Sequence, residues 1–298
     1  MSAGADVRNG GNGVNIDYVR ALTFAPIAQA YDARDSALYA LSLGMGSDPT
    51  DEDELPYVYE GRGPLAAPSQ CVTLCWPPFW HREPATGIAW RRILHGEQRF
   101  VLHRPILAEG LVEAEHRVIA LADKGAGRGA VLYTGHDIKD QTTGAPLADM
   151  TAAEFLRDDG GAGGFGAPPT LTRPLADTAK LIAAYEYKTS TQAALLYRQA
   201  SRDYMSIHAD PDIARDAGFE RPISHGLNTF GLACRAALKH FAPRQPEKLV
   251  LMSVRFAAPA YPGDTIRIEL FDDGGVRFRA RAVERDVLVL DRGEIGLA

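Results

Sequence analysis

Residues 158–169 read DDGGAGGFGAPP, and a stretch this rich in glycine, closed by two prolines, can continue neither a helix nor a strand. It cuts the 298-residue chain into two stretches of similar length, each able to bury a core of its own. The two stretches carry the same order of patterns. In the first, YDARDSALYALSL has Leu38, Leu41 and intervening alanines at helical spacing, and the runs RFVLH, LVEAEHRVIALAD, GAVLYTGHDI and TAAEFL then read as successive antiparallel strands. In the second, a short helix around Ile213–Ala217 and a strong helix from Ser224 to Phe241 precede strands LVLMSVRFA, DTIRIELFDD and VRFRARAVERDVLVLDRGEI. Leu227, Phe230, Gly231, Cys234, Ala237 and Leu238 make one apolar face of the strong helix, with Ser224 as its expected N-cap. The fold class expected is α+β, in two repeats of helix followed by strands: 15–158 and 181–298, joined by a linker at 159–180 and preceded by a flexible tail at 1–14.

Composition narrows the partners. Lysine and arginine total 32 against 38 aspartates and glutamates, and no basic cluster offers the footprint that a nucleic acid or an anionic membrane needs. No apolar run reaches the roughly 18 residues of a membrane span, and the opening MSAGADVRNGGNG lacks the apolar core of a signal peptide. Cys71, Cys75 and Cys234 are odd in number and lack metal-site spacing, so they read as buried free thiols. The acidic run SDPTDEDELP reads as a solvated loop, because the alternating oxygen ligands and central glycine of a calcium loop are missing. GGAGGFG lacks the Gly-Lys-Ser/Thr ending of a phosphate loop and reads as a linker packed by Phe165.

One difference between the halves carries chemistry. Tyr31 with Ala33-Arg34-Asp35 resembles Tyr197 with Ser201-Arg202-Asp203, but five positions after Asp203 stands His208, where the first half has Ala40. Further on, Ser224-His225-Gly226-Leu227 opens the strong helix, whose first N–H groups have no intrahelical acceptor and whose dipole favours negative charge. A carboxylate, an imidazole and a donor-rich helix start are the parts needed to add water to a double bond conjugated with a carbonyl.

The segment YRQASRDYMSIHADPDIARDAGFERPISHGLNTFG resembles the hydratase-2 motif of the MaoC-like family of (R)-specific 2-enoyl-CoA hydratases. YDARDSALYALSLG, ELPYVYEG, ILHGEQRFVLHRPI, DKGAGRGAVL, GAGGFG and RFAAPAYPGDT resemble further blocks of that family in the expected order, so the resemblance covers almost the whole chain. It implies tandem hot-dog folds, each an antiparallel sheet around a long central helix, with the site in the C-terminal repeat and room for the acyl chain in a non-catalytic N-terminal one. By position, Asp203 and His208 match the pair that activates water, Gly226 the residue whose N–H binds the thioester oxygen, and Glu60 a glutamate linked to activity. The sequence departs from the motif at Arg202, Met205 and Ser206, where the family has Gly, Asn and Pro. The resemblance implies an acyl-CoA substrate and no metal or redox cofactor. A homodimer is expected, and the ending Gly-Leu-Ala, unlike the Ser-Lys-Leu type of peroxisomal signal, points to a bacterial cytoplasmic location. An acyl-CoA thioesterase or a non-catalytic acyl-CoA-binding subunit are the competing readings. Gly44 and Gly46 are expected to loosen the chain after the first helix and leave volume for the acyl chain, and Glu60 could equally be a buried, paired acid that orders the fold.

Overall fold

The structure, a computed structural model, describes residues 13–298. Most of the tail expected at 1–14 lies outside that range, and Val14 at its end is buried. After α1 (Ile16–Ala21), the first half runs β1 (Ile27–Tyr31), α2 (Ala33–Ser42), α3 (Leu55–Val58), β2 (Ile93–Leu102), β3 (Gly110–Asp123), β4 (Ala130–Asp140) and β5 (Pro146–Leu156). The second runs β6 (Lys180–Lys188), α4 (Ala193–Ser201), α5 (Pro211–Asp216), α6 (Gly226–Phe241), β7 (Leu249–Phe256), β8 (Thr265–Asp272), β9 (Val276–Ala282) and β10 (Val287–Leu297). A strand therefore stands directly before α2 in the first half and before α4 in the second. Sequence reading missed both: β1 is only five residues long, and each is an edge strand with one neighbour.

All ten strands join one antiparallel sheet in the order β1-β3-β4-β5-β2-β7-β10-β9-β8-β6. Read inward from its two edges the order is the same in both halves, the topology of a tandem hot-dog fold. The halves meet where β2 pairs with β7, in register from Glu97↔Arg255 to Val101↔Leu251.

The sheet wraps α6, in which every residue from Leu227 to Leu238 is buried. Phe230 packs against Phe100 of the first half and Phe278 of the second, so this one helix fills both concave faces. The corresponding stretch of the first half holds no long helix but a 3₁₀ turn, Pro68–Thr73, wholly buried against α6 and β2. The helix starts at Gly226 with His225 as N-cap; Ser224, expected there, instead donates its main-chain N–H to Ala260.

The acidic run is solvated only in part: residues 47–50 and Glu52 are exposed, whereas its end docks on the second half. Glu54 is buried and takes two hydrogen bonds from Arg235 of α6, at 2.5 and 2.8 Å, and one from the Gly46 N–H at 2.9 Å. Arg235 also donates to the Leu43 carbonyl, while Asn228 donates to that of Ser42, so side chains of the second half satisfy the last carbonyls of α2. Lys239 and Arg244 pair with Asp51 and Asp53. The space expected beside Gly44 is filled, since a Cβ there would lie 3.1 Å from Arg235 and its φ of +73° excludes most side chains.

Two amides of the glycine run, those of Gly161 and Gly163, donate to the Asp123 carboxylate. Phe165 bridges to Leu121 and packs as expected. The three cysteines are buried and free.

Removing one partner of the buried pair leaves a lone charge in the interior. Arg235→Met should therefore lower unfolding free energy by about 3–5 kcal/mol, and adding Glu54→Leu should restore a large part of it. Denaturant unfolding of the two single variants and the double variant measures the coupling; additive losses would mean that the pair does not hold the loop to α6.

Candidate active site

The segment after α4 owes its shape to short-range hydrogen bonds. Ser201 turns its hydroxyl back to the Tyr197 carbonyl and accepts from the Asp203 N–H, and Arg202 between them takes a left-handed conformation. Asp203 Oδ1 then accepts from the Met205 N–H at 3.1 Å, the turn that aspartate favours. Residues Ser206–His208 form a 3₁₀ turn, and Asp210 with Pro211 caps α5 and stops the segment. This holds Asp203 and His208 on one side of the turn.

His208 Nδ1 is 2.9 Å from the Ile223 carbonyl. A carbonyl oxygen only accepts, so Nδ1 carries the ring proton and Nε2 presents a lone pair. Burial pushes the imidazole below its usual pKa, opposed by the Asp203 carboxylate, which leaves the ring neutral at neutral pH. Ligand atoms of Asp203, His208 and His225 lie within 4.8 Å of one another, a spacing that a bridging water spans.

The sequence motif assigns no role to His225, yet the structure places it against the pair. It is 2% exposed and stacks on His208 with ring centroids 3.7 Å apart and planes 24° apart. Its Nε2 lies 3.4 Å from the Asp203 carbonyl and 3.9 Å from its carboxylate, and its Nδ1 is buried without a partner among the described residues. Burial pushes its pKa down to about 2, and His208 pushes the same way. An imidazole directly before a helix start, close to an acid–imidazole pair, was the available signal.

Gly226 follows as the first residue of α6, and no hydrogen bond among the described residues uses its N–H. Its lack of a side chain has a packing cause, since a Cβ would lie 2.9 Å from the Phe256 ring. His95 on β2 packs against the same ring, at 4.7 Å between centroids, so the first half also borders the site. Met205 is tied by its main chain, its carbonyl accepting from Arg198 at 3.0 Å. Glu60 is exposed in the turn after α3 with no hydrogen bond or ion pair among the described residues; the buried, paired acid of that region is Glu54.

Asp35 and Asp203 are not equivalent positions. Asp35 sits in the first turn of α2, in a capping box with Asp32, whereas Asp203 lies past the end of α4. The matching serines Ser42 and Ser201 bond back to Tyr39 and Tyr197, and counted from these helix ends Gly44 stands where the second half has Asp203. The first half therefore holds neither the acid nor the imidazole of the pair at that place.

Residues 29–158 match the MFE-2 hydratase 2 N-terminal domain and residues 176–292 the MaoC like domain. A probable enoyl-CoA hydratase 2 of Dictyostelium discoideum is 32% identical over 83% of this chain and 83% of its own length. A peroxisomal enoyl-CoA hydratase 2 of Arabidopsis thaliana is 31% identical over 93% of both. The crystal structure of a MaoC-like dehydratase from Phytophthora capsici superposes with a TM-score of 0.82 at 30% identity, covering 96% of this chain and 98% of that one. With both halves matched and relatives aligned along nearly their full length, the chain belongs to the MaoC-like hydratase 2 family.

Proposed function

We propose that this protein is an (R)-specific 2-enoyl-CoA hydratase, adding water reversibly to a trans-2-enoyl-CoA to give the (3R)-3-hydroxyacyl-CoA. The observation that carries this reading is the pairing of two proton acceptors, the Asp203 carboxylate and the His208 Nε2, beside the free N–H at the start of α6. Relatives named enoyl-CoA hydratase 2 support the reaction, and the hydratase 2 family supports the (3R) outcome.

The parts fit one syn addition. A water molecule gives one hydrogen to Asp203 and one to His208 Nε2, which turns an oxygen lone pair toward the β-carbon. As the C–O bond forms, Asp203 takes the proton, and the thioester oxygen gains charge against the Gly226 N–H, a stabilisation worth about 3–4 kcal/mol in comparable sites. Asp203 then returns a proton to the α-carbon on the same face, and the enolate collapses to the thioester. His208 orients the water and does not supply the second proton, because its only ring hydrogen is held by Ile223. No metal enters this scheme. The near-parallel rings of His208 and His225 do not aim their lone pairs at one point, as coordination requires, whereas water accepts wider angles. An acyl chain directed toward the first half is supported by the short turn at Pro68–Thr73 in place of a long helix, and no longer by space at Gly44.

Crotonyl-CoA or a longer trans-2-enoyl-CoA should lose its conjugated-enoyl absorbance when mixed with the protein, and an inert mixture at every chain length would refute the proposal. Asp203→Asn and His208→Gln should each lower kcat by about 10²-fold or more while the fold persists. His208 works as an acceptor, so the rate should be flat upward from pH 6.5 and fall only below it, where the ring begins to protonate. Chiral analysis of the product should give the (3R) alcohol. Asp35→Ala should leave kcat within about twofold and cost about 0.5–1 kcal/mol of stability through the lost capping box, as read by thermal unfolding.

A further inference from the structure

Resting on the hydratase reading above, we infer that His225 is a positioning residue, a flat spacer that fixes the ring plane of His208 and the main chain at Asp203 without touching the reacting atoms. The face-to-face contact at 3.7 Å leaves His208 little freedom to tilt, and its Nδ1 bond to Ile223 fixes the rotation within its plane. His225 Nε2 meets the Asp203 carbonyl, so one imidazole contacts both halves of the water-binding pair. Its own place is set by the N-cap position of α6 and by Tyr197 of α4, whose ring centroid is 5.0 Å away.

A spacer here must be uncharged, because burial disfavours a charged ring and a proton on His225 would oppose any charge that His208 gains. The groups facing it are His208 and Asp203 from the segment after α4, and Tyr197 and Arg198 from α4 itself. Arg198 and His208 disfavour a second positive charge, and burial does so more strongly, so the ring stays neutral well into acid. His225 also keeps solvent from one face of His208. Replacing the ring by a shape that admits water should relieve the burial of His208 and raise its pKa toward 6.5.

The test compares His225→Phe, which keeps a flat ring, with His225→Gln, which keeps polarity and loses the ring. Both are assayed for kcat and KM on a trans-2-enoyl-CoA across pH 4.5–8, with thermal melting as the check on folding. His225→Gln should lower kcat about tenfold or more with KM nearly unchanged and move the acid limb of the pH profile upward. His225→Phe should recover most of the rate with the limb where the wild type has it. Equal losses in both variants at every pH, a change in KM alone, or a wild-type profile for His225→Gln would overturn the inference.

Nitrogen-15 imidazole spectra of the wild-type protein supply an arm independent of turnover. His208 should carry its proton on Nδ1 and His225 on Nε2, with His225 neutral at pH 5. A His225 that titrates above pH 5, or a His208 with the opposite tautomer, would overturn the positioning role even in an active enzyme. If no enoyl-CoA is turned over, the hydratase reading fails, and these spectra still decide the geometry.

Discussion

Arg235 carries a charge into the interior of the protein, and its arrangement with Glu54 is the constraint from which much else follows. A buried ion pair adds little net stability over well-packed apolar residues, because desolvation offsets most of the attraction. It does demand geometry. Arg235 finds its partners only when the acidic loop, the end of α2 and the middle of α6 come together in one way, and the Tyr187 ring stacks on its guanidinium at 4.3 Å. The end of α2 thus docked places Tyr39 against Tyr197, with centroids 6.0 Å apart, and Tyr197 backs His225. A contiguous set of packed groups therefore runs from the loop of one half to the imidazoles of the other.

The site itself is made of uncharged histidines around one partly exposed carboxylate. Asp203 is 35% exposed and keeps contact with solvent, the source of the nucleophile, whereas His208 and His225 are held neutral by burial. A general base must accept a proton from water, and a protonated imidazole would present a donor where an acceptor is needed. In the proposed mechanism the positive character needed at the thioester oxygen comes from the backbone at the start of α6, where it cannot titrate.

The fold class, the long strands, α6 and the Asp203–His208 pair were legible because each leaves a local mark: alternation, helical spacing, or a short motif. The docking of the acidic run was not legible. SDPTDEDELP has the composition of a solvated loop, and only the fold brings Arg235, Lys239 and Arg244, all more than 180 positions away, onto it. The matching of Asp35 to Asp203 failed for a related reason. Short gapped similarity can align residues on opposite sides of a helix, and topology, with the Tyr39–Ser42 and Tyr197–Ser201 bonds, corrects the register. His225 was in plain view, but a histidine at a helix start gains meaning only from what stacks on it.

The pairing of β2 with β7 has a mechanical consequence. Two repeats joined only by a tether could swing apart to admit a substrate, but two repeats sharing one hydrogen-bonded sheet have no hinge between them. Admission of a long, flexible thioester must then depend on rearrangement of side chains and loops at the rim, while the frame stays still. The same seam ties the fates of the repeats together. Severing the chain between Leu156 and Lys180 would leave two fragments, each with a central strand turned into a bare edge and with α6 belonging to only one of them. Such fragments would be sticky pieces of one molecule, and no longer two small proteins.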